Sequence, residues 1–195
     1  MTDTPIEVSQ LFATPIYTCH LDDGFCNALI EKVINDKDKF IRGLVNVNAL
    51  TTGWDGLRKY QELRDIGYWI SKSILPEIGK LQKWKYNNWR CSTAWINFYE
   101  KGDTARLHNH KFEDYSGILI LEPGNGNLMF VSPDEVFNNY RPFYNPESKK
   151  VNEKKGTLIL FPDYMFHQVT DCEKQRISVA FNFINDAHSI DENKK

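Results

Sequence analysis

Three of the chain's five histidines fall in two short motifs, Leu107-His108-Asn109-His110 and Phe166-His167-Gln168, the second followed by Arg176-Ile177-Ser178. Both motifs lie in β-rich runs. Side chains alternate along a strand, so His108 and His110 are expected to project from one face and bring two imidazoles together. The polar stretch 170–175 reads as a hairpin turn between the runs 165–169 and 176–183. With an even-length loop centred near Cys172 and Glu173, His167 falls opposite Ser178 and Val169 opposite Arg176, all on one face. A histidine, an arginine and a serine then converge.

Three neutral nitrogen donors on one side of a borderline metal leave coordination positions open for other ligands, an arrangement used by oxygenases with non-haem iron. The Arg176 and Ser178 pair suits a carboxylate, because the planar guanidinium donates bidentately and the hydroxyl adds a third bond. Metal and carboxylate together suggest a 2-oxo acid chelated to iron.

Further motifs sit around this centre in a fixed order: Leu11-Phe12-Ala13-Thr14-Pro15, Gly53-Trp54, Trp95-Ile96-Asn97, Tyr99-Glu100-Lys101-Gly102, His108-Asn109-His110, Ser116-Gly117, the run 156–162, His167 and Arg176-Ile177-Ser178. This ordered set spans nearly the whole chain. It resembles a family of Fe(II)/2-oxoglutarate oxygenases with bacterial and phage members, related to prolyl-hydroxylase-like dioxygenases. The resemblance implies a double-stranded β-helix, or jelly roll, that binds Fe(II) and uses 2-oxoglutarate as cosubstrate with O₂. It also implies His108, His110 and His167 as metal ligands, and Arg176, Ser178 and Tyr99 around the cosubstrate. The sequence departs from the wider pattern twice. His110 stands where the superfamily has a metal-binding aspartate, so either three histidines hold iron or Glu113 or Asp114 moves in. Relatives often carry a tyrosine pair after Ser-Gly; this chain has Ile118-Leu119-Ile120-Leu121, which leaves Tyr99 to supply a hydroxyl.

The elements that must position these residues follow from pattern. With 195 residues, 41% of them hydrophobic and 13% aromatic, the chain is expected to form one domain with a packed core. Residues 1–88 are read as an N-terminal strand with supporting helices, 89–184 as the catalytic core and 185–195 as a polar tail. An edge strand over 6–21 precedes a helix capped by Asp22, in which Phe25, Leu29, Val33 and Ile34 recur at helical spacing. Residues 40–58 look irregular. A second helix from about Lys59 is marked by Leu63, Ile66, Ile70 and Ile74, is interrupted at Pro76 and resumes with Ile78 and Leu81. Seven β-rich runs follow, at 92–99, 105–110, 116–121, 126–131, 156–161, 165–169 and 176–183. Their Gly, Pro and polar breaks predict a mainly β jelly-roll core with flanking helices.

Between 133 and 155 the chain has no clear period, and Phe137, Tyr140, Phe143 and Tyr144 make it the candidate substrate lid. The formal net charge of −2 gives no basic field for nucleic acid. No apolar run reaches the ~20 residues that span a bilayer, and no signal peptide is evident, so a soluble cytoplasmic protein is expected. The four cysteines form no Cys-x-x-Cys pair and are expected as thiols. Two functions fit: an iron-dependent dioxygenase hydroxylating a small molecule or peptide, or a non-catalytic jelly-roll binding or virion-associated module with a degenerate metal site. Either is compatible with a homodimer.

Overall fold

A computed structural model describes residues 14–43, 45–125, 128–132 and 148–186. The first strand, β1 (Tyr17–His20), leads into α1 (Asp23–Asp36) and a 3₁₀ turn (Lys37–Lys39). Asp22 caps α1 as expected, its side chain accepting from the Phe25 N–H at 3.1 Å. The buried stripe is Cys26, Leu29 and Val33, whereas Phe25 and Ile34 are exposed. The buried face is therefore rotated from the expected one. Residues 40–58 are less irregular than expected. They hold three two-residue strands, β2 (Ile41–Arg42), β3 (Val47–Asn48) and β4 (Leu50–Thr51), and the short α2 (Gly56–Lys59). A strand of two residues is too short to show a period.

The second helix forms as α3 (Gln61–Trp69), and the interruption near Pro76 takes a specific form. A wider, π-helical turn (Ile70–Ile74) inserts before α4 (Leu75–Leu81), which restarts with Pro76 in its first turn. There the missing proline N–H has no partner to lose. Leu63, Ile66, Ile70 and Ile78 are buried, while Leu81 stays exposed.

The core strands are β5 (Trp89–Tyr99), β6 (Thr104–His108), β7 (Tyr115–Glu122), β8 (Leu128–Val131), β9 (Ser148–Lys150), β10 (Thr157–Pro162), β11 (Phe166–Val169) and β12 (Arg176–Asn185). They form two antiparallel sheets, a seven-stranded one in the order β1-β10-β7-β12-β5-β4-β2 and a five-stranded one in the order β3-β6-β11-β8-β9. This is the expected jelly roll, mainly β with helices on one side. The large sheet is covered on both faces. Ile96 and Phe98 of β5 and Ile177, Val179, Phe181 and Phe183 of β12 pack with the helices. Trp95, Asn97 and Tyr99 of β5 and Arg176, Ser178 and Ala180 of β12 face the cavity between the sheets. Two-sided burial explains why β12 reads as a nearly continuous apolar run in which, up to its last residue, the polar residues Arg176, Ser178 and Asn182 share one parity.

The hairpin between β11 and β12 does not form. β11 pairs with β6 and β8, and β12 pairs with β5 and β7, so the two strands lie in opposite sheets. The linking residues bond elsewhere: Cys172 N–H donates to Asp103 O, Gly102 N–H to Cys172 O, and Lys174 N–H to Gly124 O. The polar stretch is a crossover seam whose backbone groups are satisfied by two other turns. His167 is therefore opposite His108 and Phe130, and Ser178 is opposite Asn97. The three residues still face a common space, reached from both sheets and not along one hairpin. All four cysteines are free. No described helix is long and apolar enough to cross a membrane.

Candidate metal centre

His108 is the last residue of β6 and His167 its direct partner in β11, so ladder pairing alone brings their rings to a centroid distance of 4.3 Å. His110 is not on that strand. The chain leaves β6 after His108, the His110 N–H donates to Asp163 O at 3.0 Å, and the following turn places Phe112 at a φ of 82°. The alternation argument thus reaches the right pair for the wrong reason. His110 is brought back by a turn, to ring distances of 5.3 Å from His108 and 5.0 Å from His167. One ligand nitrogen from each ring lies within 4.8 Å of the others.

Each Nδ1 is already committed. That of His108 donates to Arg106 O at 2.6 Å, and that of His167 to Met165 O at 3.0 Å. The Nδ1 of His110 donates to Asn182 Oδ1 at 2.7 Å, with Ser116 Oγ at 3.0 Å. Carbonyl acceptors fix the proton on Nδ1, so the Nε2 lone pairs are the free donors. Asn182 is itself held, donating from Nδ2 to Thr93 Oγ1 at 3.1 Å. Glu113 and Asp114 take no part: Glu113 accepts from Ser92 Oγ at 2.8 Å, and Asp114 from the Asn185 N–H at 2.7 Å. It is the His110 ring, and neither carboxylate, that groups with His108 and His167.

Burial sets the electrostatics. It lowers the pKa of all three rings: His108 below its usual 6.5, His110 to about 4, and His167 well below 6.5. Repulsion from His108 adds to the effect at His110, and repulsion from both neighbours adds to it at His167, while the bond to Asn182 opposes it at His110. All three are neutral at pH 7, the state that can coordinate a cation. A folded-state pKa below the unfolded one means that the unfolded chain binds protons first as pH falls. The metal-free protein should therefore be unaffected above the unfolded value near 6.5 and lose stability as pH drops from there to about 4. For His110 the loss is on the order of a few kcal/mol when complete. Unfolding midpoints across this window should fall less steeply in His110→Gln than in the parent, and identical slopes would refute the assignment.

The other end of the cavity is built around Arg176, which is 1% exposed. Its Nε donates to Glu153 Oε2 at 3.0 Å and its Nη1 to Ser178 Oγ at 2.9 Å, while Nη2 is buried without a partner among the described residues. The guanidinium stacks over Tyr99 at 5.1 Å from the ring centroid. Burial pushes the Tyr99 hydroxyl up to about 12, so it remains a phenol. Asn97 Oδ1 is likewise buried with no partner among the described residues. Both orphans line the cavity that holds the three histidines, and such atoms mark where a ligand has hydrogen bonds to make.

The expected His108, His110, His167, Arg176, Ser178 and Tyr99 all line this one cavity. Phe137, Tyr140, Phe143 and Tyr144 lie outside the described residues. Sequence reasoning missed Glu153, Asn182, and the parts played by Ser116 and Asn97. Ser116 and Asn97 stood within quoted motifs without a role. Glu153 was signalled only by the rule that a buried arginine needs an anion.

The family model described as "Putative 2OG-Fe(II) oxygenase" matches residues 93–182. No curated protein sequence matches the chain. Among solved structures, a Pseudomonas putida prolyl-4-hydroxylase is similar at a TM-score of 0.63 and 13% identity, over 88% of this chain and 93% of that one. The non-heme alpha-ketoglutarate-dependent epimerase SnoN from nogalamycin biosynthesis gives 0.66 and 11%, over 88% and 79%. The viral collagen prolyl hydroxylase of Paramecium bursaria Chlorella virus-1 gives 0.57 and 15%, over 86% and 94%. These likenesses establish the fold. The matched segment is similar to that family over 93–182 and contains every cavity residue named above.

Proposed function

We propose that the protein is a non-haem Fe(II)- and 2-oxoglutarate-dependent dioxygenase that hydroxylates a C–H bond of a small molecule or peptide. His108, His110 and His167 hold the metal through Nε2. Arg176 and Ser178 receive the distal carboxylate of 2-oxoglutarate, with Tyr99 beneath the guanidinium and Asn97 beside it. The observation that carries this is the joint preparation of both ends of one cavity. At one end three neutral rings are locked by their Nδ1 bonds, and at the other a buried guanidinium keeps an unpaired Nη2.

When bound, iron and the 2-oxo acid supply the redox chemistry: one oxygen atom of O₂ enters the substrate as hydroxyl and the other enters succinate, with release of CO₂. The chain's own residues position and exclude. Phe161 and Phe130 pack against His167, with ring centroids 5.0 and 6.0 Å away, and Trp95 lies 5.5 Å from His110. These apolar walls keep bulk water from the open coordination positions and strengthen the electrostatics inside. Three neutral ligands leave the full divalent charge on the metal, so more of its neutralisation falls to the cosubstrate than where a carboxylate ligates. The epimerase and the hydroxylases among the similar structures show one scaffold with different reactions. Hydroxylation rests here on the prolyl-hydroxylase likeness.

The deciding experiment is anaerobic titration with Fe(II) and 2-oxoglutarate. A weak visible charge-transfer band should grow to one equivalent, and air should then convert 2-oxoglutarate to succinate even without substrate. If folded protein gives neither the band nor succinate, the non-catalytic binding module is the better reading.

A further inference from the structure

The cation that awaits the cosubstrate's far end already has a counter-ion. Glu153 is buried with Arg176, their side chains 3% and 1% exposed. It uses both oxygens, one on the Arg176 Nε and one on the Leu128 N–H at 2.6 Å. The buried Asp103 is paired with Arg42, and the three histidines are neutral. Among the described residues, the charge of Arg176 is therefore balanced by the protein itself. A 2-oxo acid with an anionic far end would place two carboxylates around one guanidinium in a water-poor space. The Coulomb gain from Arg176 is then largely offset by repulsion from Glu153.

The geometry leaves hydrogen bonding available. Glu153 takes the Nε edge, and the Nη edge still presents the unpaired Nη2 beside Ser178 Oγ. We infer that Glu153 is a selectivity and positioning residue for the cosubstrate. It neutralises Arg176 and aims its Nη edge into the cavity, so the far end of the 2-oxo acid is chosen by hydrogen bonds more than by charge. This rests on Arg176 being the seat of that far end. Its consequence is tolerance of 2-oxo acids whose far end is neutral and polar.

The test compares 2-oxoglutarate with its 5-amide, each titrated anaerobically into the Fe(II)-loaded protein and followed by calorimetry and by the visible band. An uncompensated arginine prefers a carboxylate over a neutral group by about 10- to 100-fold. Here the preference should be under about 5-fold in the parent and widen by at least ~10-fold in Glu153→Gln, through tighter 2-oxoglutarate binding. The metal-free Glu153→Gln protein should also melt at lower temperature, because Arg176 is then buried without an anion. If the substitution prevents folding, the parent's preference alone decides, and a value above ~5-fold overturns the inference. Unchanged or weakened 2-oxoglutarate binding in folded Glu153→Gln overturns it as well. Should Arg176→Ala bind both ligands as the parent does, the fault lies with the assignment of Arg176 itself.

Discussion

Replacing His167 with alanine is expected to abolish stoichiometric Fe(II) binding while the β-core survives. The residue sits at the meeting point of β6 and β11, and its ring is the closest of the three to both neighbours. Removing it leaves two nitrogens, one from a strand end and one from a turn. Loss of an outer partner that only orients a ligand costs about 10–100-fold in metal affinity, so loss of the ligand itself should exceed ~100-fold. Asn182→Ala provides the comparison, since it removes the acceptor of the His110 Nδ1–H and leaves all three rings in place. Metal content after dialysis should rank parent, Asn182→Ala, His167→Ala, with far-ultraviolet dichroism unchanged throughout. Full iron occupancy in folded His167→Ala would remove this residue from the ligand set.

The cluster of His108, His110 and His167 was legible in the sequence because it depends on residue type and on short spacing. The cavity-facing parity of Arg176 and Ser178 was legible for the same reason, since alternation holds within any strand. Pairing was not. Residues 170–175 are as polar as a hairpin loop, and nothing local shows that Cys172 bonds to the turn at Gly102 and Asp103. The choice between a hairpin and a crossover is made by which sheet edge is unsatisfied elsewhere, and that is information about other strands. His110 shows a milder case. Its spacing from His108 suggested a strand, and a turn delivers it to the same place.

Glu153 marks the deeper limit. It lies near the end of the 133–155 stretch, which has no clear period, so no pattern gives its side chain a direction. The requirement for an anion beside Arg176 could be stated from sequence, but a carboxylate of the protein and a carboxylate of the ligand satisfy it equally on paper. Only the fold shows that the protein supplies one. The same applies to α1, whose buried stripe runs through Cys26 and not Phe25 because the sheet's surface sets the rotation.

That counter-ion alters what Arg176→Ala should do. Were the arginine paired only with cosubstrate, its removal would weaken 2-oxoglutarate binding and leave the metal-free fold untouched. With Glu153 at 3% side-chain exposure, the substitution strands a buried carboxylate, and breaking such a pair from one side costs about 3–5 kcal/mol. Denaturant unfolding of the metal-free protein should show this loss as a lower midpoint at unchanged slope. Arg176→Lys should recover part of the stability, since its ammonium can still meet Glu153. It should recover less of the binding, because the fork that serves Glu153 and Ser178 together is gone. Cosubstrate affinity in Arg176→Ala, measured on the folded fraction by calorimetry, should fall by at least ~10-fold while Fe(II) still binds. A stability loss without a binding loss would leave the ion pair as a purely structural strut and place the carboxylate seat elsewhere in the cavity. A binding loss without a stability loss would mean that Glu153 reaches solvent once its partner is removed.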